Sequence, residues 1–118
     1  MCGIAGAAWT SDGESLDGEA LRRMTDVLSH RGPDDQGHYL DANATGGVAL
    51  GHRRLSIIDL AGGHQPLSNE DGTVWIVFNG EIYNHAEIRK ELVQLGHHSW
   101  KTDHSDTEVL LRAFQQWG

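Results

Sequence analysis

Three short strand candidates, at 37–40, 48–50 and 55–60, follow one another too closely for a regular strand–helix–strand series. Helical patterns stand on either side of them. Over 17–29, Ala20, Leu21, Met24, Val27 and Leu28 fall on one helix face, and Pro33 in the following turn is expected to stop the helix. Asn84 with Glu87, and Ser105 with Glu108, match capping boxes. The first opens a helix with stripe Ile88, Leu92, Leu95, closed by Gly96. The second opens one through Leu110, Leu111, Phe114 and Trp117. Further strands are expected at 2–8, buried; at 73–78, the clearest, ending in the tight turn Asn79-Gly80; and at 98–101. The class is therefore α+β. Fifteen Gly against two Pro fit tight turns between ordered elements.

The 118 residues suit one domain, and 38% hydrophobic residues suffice for a core. A net charge of −8 argues against nonspecific binding to nucleic acid or an anionic membrane. No apolar run approaches the roughly 18 residues of a membrane span, and no secretory signal is present. The single cysteine excludes an internal disulfide and fits the cytosol. No Gly-rich phosphate loop occurs, so no cofactor is expected on this chain.

The lone cysteine is at position 2. A single Cys is ordinarily a small core residue. Removal of Met1 would change its chemistry, because one residue would then carry a thiol and a free α-amine with pKa near ~7.7–8.0. Such an amine can take the thiol proton, the pairing used by amino-terminal nucleophiles. Gly3 beside it lets substrate approach the backbone closely.

Six motifs occur in order along the chain: Met1-Cys2-Gly3-Ile4, Arg31-Gly32-Pro33-Asp34, Arg54-Leu55-Ser56-Ile57-Ile58-Asp59, Gln65-Pro66-Leu67, Asn79-Gly80-Glu81-Ile82-Tyr83-Asn84 and Ser105-Asp106-Thr107-Glu108. Together they resemble the glutaminase domain of glutamine-hydrolysing asparagine synthetase, a class II glutamine amidotransferase of the N-terminal-nucleophile type. The resemblance implies a four-layer αββα sandwich, of which this chain would be the N-terminal part. It also implies a separate synthetase domain using ATP and Mg, absent from these residues. L-glutamine would be the substrate and the synthetase domain the partner. On this expectation the chain is a fragment, and strand edges and apolar surface are left to be covered by swapping, homo-oligomerisation or a partner chain.

The same resemblance assigns roles. Cys2 would attack the side-chain amide carbon, and Asn79 and Gly80 would form the oxyanion hole. Arg54 would bind the α-carboxylate through its planar fork, with Arg53 pointing to the opposite strand face as a surface residue. Glu81 and Asp106 would receive the α-ammonium, and Arg31 would organise its loop. Read without the family, Asn79-Gly80 is a turn signal and Asp106 a helix-start acid.

Other readings are a noncatalytic glutamine-binding or interaction module, an amidotransferase acting on another carboxylate, and a metal site built from His64, His97, His98 and His104 with Cys2. No zinc-type spacing supports the last, and adjacent His on a strand diverge. Most of the histidines are expected at the surface.

Overall fold

The computed structural model describes residues 2–55 and 63–118. In chain order these form β1 (Gly3–Thr10), α1 (Gly18–Asp26), β2 (Asp35–Asn43), β3 (Gly46–Arg54), β4 (Leu67–Ser68), β5 (Trp75–Ile76), α2 (His85–Gln94) and α3 (Asp106–Trp117). The sheets are antiparallel: a three-stranded one in the order β1-β3-β2, and the pair β4-β5. This is the mixture of antiparallel strands and helices expected from the sequence.

The β2–β3 turn has a side-chain cause. Asn43 Oδ1 accepts from the Thr45 N–H at 2.8 Å and the Thr45 hydroxyl at 2.6 Å, and Gly46 closes the turn with φ +145°.

Period-two alternation gives β3 two different faces. Ala49, Gly51 and Arg53 face α1, where Leu21, Thr25 and Ala49 are fully buried. Burying a leucine there is worth about 1.5–3 kcal/mol. Arg53 is no surface residue: it donates to Thr25 O at 3.2 Å and pairs with Asp26 at 2.6 Å, clamping α1 to the sheet. On the opposite face Tyr39, opposite Leu50 in register, stacks on Trp75 of β5 with ring centroids 4.1 Å apart. The β1 residues on that face, Ile4, Gly6 and Ala8, are exposed.

Three strand expectations change. The 2–8 segment is β1, but apart from buried Gly3 its residues are half-buried or exposed, because β1 is an edge strand. Only Trp75 and Ile76 of 73–78 pair as strand. The Asn69 side chain captures the N–H groups of Thr73 and Val74, and the Phe78 N–H donates to Gln65 Oε1. No strand forms at 98–101. There the Ser99 carbonyl accepts from Arg112, and the Lys101 N–H donates to Glu108. In each case side chains take the backbone groups a ladder would need. Residues 56–60 of the third candidate strand lie outside the described residues.

The helix boundaries also have identifiable causes. Asp17 caps α1 by accepting from the Ala20 N–H at 2.7 Å. The helix ends at Asp26, well before Pro33, in successive tight turns. Asn84 precedes α2 without a side-chain cap bond. Ser105 Oγ accepts from the Glu108 N–H at 3.2 Å, but Glu108 does not complete the reciprocal box. Its buried carboxylate accepts instead from Lys101 N–H (2.6 Å), Thr102 N–H (2.9 Å) and the Thr102 hydroxyl (2.9 Å). Leu92 of α2 and Val109 and Leu111 of α3 are buried in the second core. Beside them the Trp100 ring carries the Arg89 guanidinium at 4.0 Å and that of Arg112 at 5.8 Å. No described helix is long and apolar enough to cross a membrane.

Candidate active site

The sheet places two of the expected residues at one end. Cys2 immediately precedes Gly3, whose partner on the central strand is Arg53; Arg54 is the last residue of that strand. The Cys2 thiol is free and half-buried. The Arg31-Gly32-Pro33-Asp34 turn seals this end. Arg31 Nε donates to the Cys2 carbonyl at 3.3 Å, and the Asp34 N–H donates to the Arg54 carbonyl at 3.1 Å. A Cβ on Gly32 would strike the Arg53–Arg54 peptide, so only glycine lets the turn lie against β3.

Arg54 is half-buried, and its guanidinium lies against Gly63, where a Cβ would collide with it. Asp35 faces Arg54 across β2–β3 and is held at 2.8 Å by His64 Nδ1. Burial raises the Asp35 pKa. The hydrogen bonds from His64 and the Gln36 N–H, with the charges of His64 and Arg54, outweigh it and leave the carboxyl below its ordinary value.

A second group gathers around the segment after β5. Gly80, Glu81 and Asp106 line one cavity of about 410 Å³ with Ile82, Tyr83, His85 and His104. Asp106 Oδ2 accepts from the Ile82 N–H at 3.0 Å, so the first residue of α3 also ties down this loop. The structure therefore brings Gly80, Glu81 and Asp106 together. Cys2, Arg54 and Asn79 do not line that cavity; Asn79 is exposed beside Gly80.

His52, to which the sequence reading gave no role, links the two groups. It lies two residues before Arg54 on the same strand face and is 1% exposed, close enough to the Phe78 backbone, just before Asn79, for that backbone to act on its ring. Burial is the largest influence on its pKa and lowers it. The Phe78 backbone opposes that shift and the Arg54 charge adds to it, leaving the pKa below the ordinary histidine value. Period-two spacing from Arg54 is the signal that could have found it. Two of the histidines considered as metal ligands have ordinary partners: His97 with Gln116 at 3.0 Å and His104 with Asp103 at 2.7 Å. Among the described residues no three His, Cys, Asp or Glu converge as metal ligands.

Residues 1–118 match the family described as the glutamine amidotransferase domain. The chain is 46% identical to asparagine synthetase [glutamine-hydrolyzing] 1 of Bacillus subtilis, over 99% of its own length and 18% of that protein's. It is 41% identical to asparagine synthetase [glutamine-hydrolyzing] 1 of Arabidopsis thaliana, over 100% of its length and 19% of the relative's. Against a probable asparagine synthetase of Dictyostelium discoideum the figures are 40%, 100% and 20%. The chain thus spans about a fifth of the length of these relatives. By the match over its whole length, it belongs to the glutamine amidotransferase domain family.

Proposed function

We propose that the chain is the N-terminal part of the glutaminase domain of an asparagine synthetase-like enzyme. In that enzyme it hydrolyses L-glutamine and supplies ammonia to an ATP-dependent synthetase domain that amidates aspartate. The complete domain is a four-layer αββα sandwich. The contacts of α1 with one sheet face, and of β5 with the other, support that layering.

The reaction starts with removal of Met1. The freed α-amine of Cys2 takes the thiol proton, and the thiolate attacks the side-chain amide carbon of glutamine. The carbonyl oxygen becomes an oxyanion, which accepts from the Asn79 side-chain N–H and the Gly80 backbone N–H. One such donor is worth about 2.7–4 kcal/mol of barrier. Collapse of the tetrahedral species breaks the C–N bond, the ammonium proton returns to the leaving nitrogen, and ammonia departs. Water then hydrolyses the γ-glutamyl thioester to glutamate and restores the thiol. Arg54 holds the substrate α-carboxylate, and Glu81 with Asp106 holds the α-ammonium.

One observation carries this reading: Cys2 enters β1 at the sheet end where Arg54 finishes β3, while Gly80, Glu81 and Asp106 share one cavity. The test is glutamate release by the full-length protein and its Cys2→Ala variant. The variant is expected to retain under about a thousandth of the rate; equal release by both would remove the nucleophile from the scheme.

A further inference from the structure

Gln65 lies in no catalytic position suggested by the sequence, yet its side chain joins the neighbours of two candidate-site segments. Its Oε1 accepts from the Phe78 N–H at 2.6 Å, and its Nε2 donates to Thr107 Oγ1 at 3.5 Å. Phe78 immediately precedes Asn79-Gly80, and Thr107 immediately follows Asp106. The orientation of the amide follows from these partners, because a backbone N–H needs an oxygen opposite it. The Gln65 backbone is fixed as well. Its carbonyl packs so closely over Gly37 of β2 that a Cβ there would overlap it.

The segment 78–82 is consequently held at both ends. Phe78 is held by Gln65 Oε1 at 2.6 Å, and Ile82 by Asp106 Oδ2 at 3.0 Å. Asn79, Gly80 and Glu81 lie exposed between those anchors. Since Gln65 also reaches Thr107, it sets the spacing between the sheet, this segment and the start of α3.

We infer that Gln65 is a positioning residue: it acts through Phe78 to place the Asn79 and Gly80 donors where the oxyanion forms. The inference rests on the glutaminase reading above. Oxyanion donors act over a narrow range of about 2.7–3.1 Å, so a small displacement of the segment weakens the transition state. Substrate binding by Arg54 and Asp106 does not depend on the Phe78 bond. The loss therefore falls on kcat and spares KM.

The experiment uses the full-length enzyme. Gln65→Met keeps the size of the side chain and removes both hydrogen bonds, whereas Gln65→Glu keeps an oxygen for the Phe78 N–H and loses only the donor to the Thr107 hydroxyl. Gln65→Met is expected to lower kcat for glutamine hydrolysis about 10–100-fold, with KM within about threefold. Alkylation of Cys2 by iodoacetamide, which needs no oxyanion hole, keeps its wild-type rate. Gln65→Glu is expected to restore kcat to within about fivefold of wild type. Wild-type kcat in Gln65→Met overturns the inference, as does a matching fall in alkylation or failure of Gln65→Glu to restore activity. Should Gln65→Met not fold, Gln65→Asn decides, because its shorter amide draws away from the Phe78 N–H: a kcat reduced several-fold at constant KM supports the inference, and an unchanged kcat overturns it. Glutamine hydrolysis by Cys2→Ala at the wild-type rate instead identifies failure of the underlying glutaminase reading.

Discussion

The Asp106 carboxylate accepts from the Ile82 N–H at 3.0 Å, so the first residue of α3 anchors the loop that carries Gly80 and Glu81. One side chain thereby has two separable tasks, fixing backbone through an oxygen and presenting negative charge to a substrate ammonium. Asp106→Asn keeps an oxygen for Ile82 and loses the charge. A hydrogen bond to a charged group is worth about 1.5–3 kcal/mol, so KM for glutamine should rise about 10–150-fold with kcat little changed. Asp106→Ala loses both tasks, and steady-state glutaminase kinetics should show kcat falling as well.

Glu108 supports the same helix start by a different route. It is 2% exposed and accepts from two backbone N–H groups and one hydroxyl within 2.6–2.9 Å. Glu108→Ala strands those donors and should destabilise the fold by about 3 kcal/mol in urea denaturation. Glu108→Gln keeps one acceptor oxygen and should lose about half as much.

The capping-box pattern at Ser105 correctly located α3 but could not disclose this role. A spacing of three residues shows that Glu108 can return to its own helix terminus. It does not show that the 98–102 segment will pass close enough to take the carboxylate. The same tertiary competition explains why 73–78 yields only a two-residue strand. Its β-branched and aromatic residues have the expected propensity, but Asn69 and Gln65 occupy the N–H groups of Thr73, Val74 and Phe78. Periodicity did locate α1, β2 and β3, because each has one face packed against a neighbour. The two arginines are told apart by the resemblance, which selects Arg54, and by alternation. That put Arg53 and Arg54 on opposite faces, but it did not reveal that Arg53 clamps α1.

His52 makes stability depend on pH. Its folded pKa is lower than its unfolded value, so between the two values the unfolded chain binds more protons. The stabilisation is complete above the unfolded value of about 6.5 and is lost as pH falls toward the folded one. Of the groups facing the ring, Arg54 and His64 lower its pKa and Asp35 raises it. The urea midpoint should fall from about pH 7 to about pH 5, and His52→Gln should flatten the slope. An equal slope in the variant would assign the effect to other histidines.

The Arg31 contact with the Cys2 carbonyl, at 3.3 Å, suggests that the turn after α1 fixes the direction in which the nucleophile leaves β1. Arg31→Lys keeps the charge but lacks the planar fork. It should reduce kcat by about tenfold, with a melting temperature near that of wild type. Preserved kcat in that variant would leave Arg31 with a purely architectural place in the turn.

The most direct measurement is to react the full-length enzyme with a diazo-ketone analogue of glutamine and map the product by mass spectrometry. The account predicts an N-terminal peptide that has lost Met1 and carries one adduct on Cys2 Sγ, with glutaminase activity disappearing in step. Inactivation with Cys2 unmodified, or full activity in enzyme that retains Met1, would contradict it.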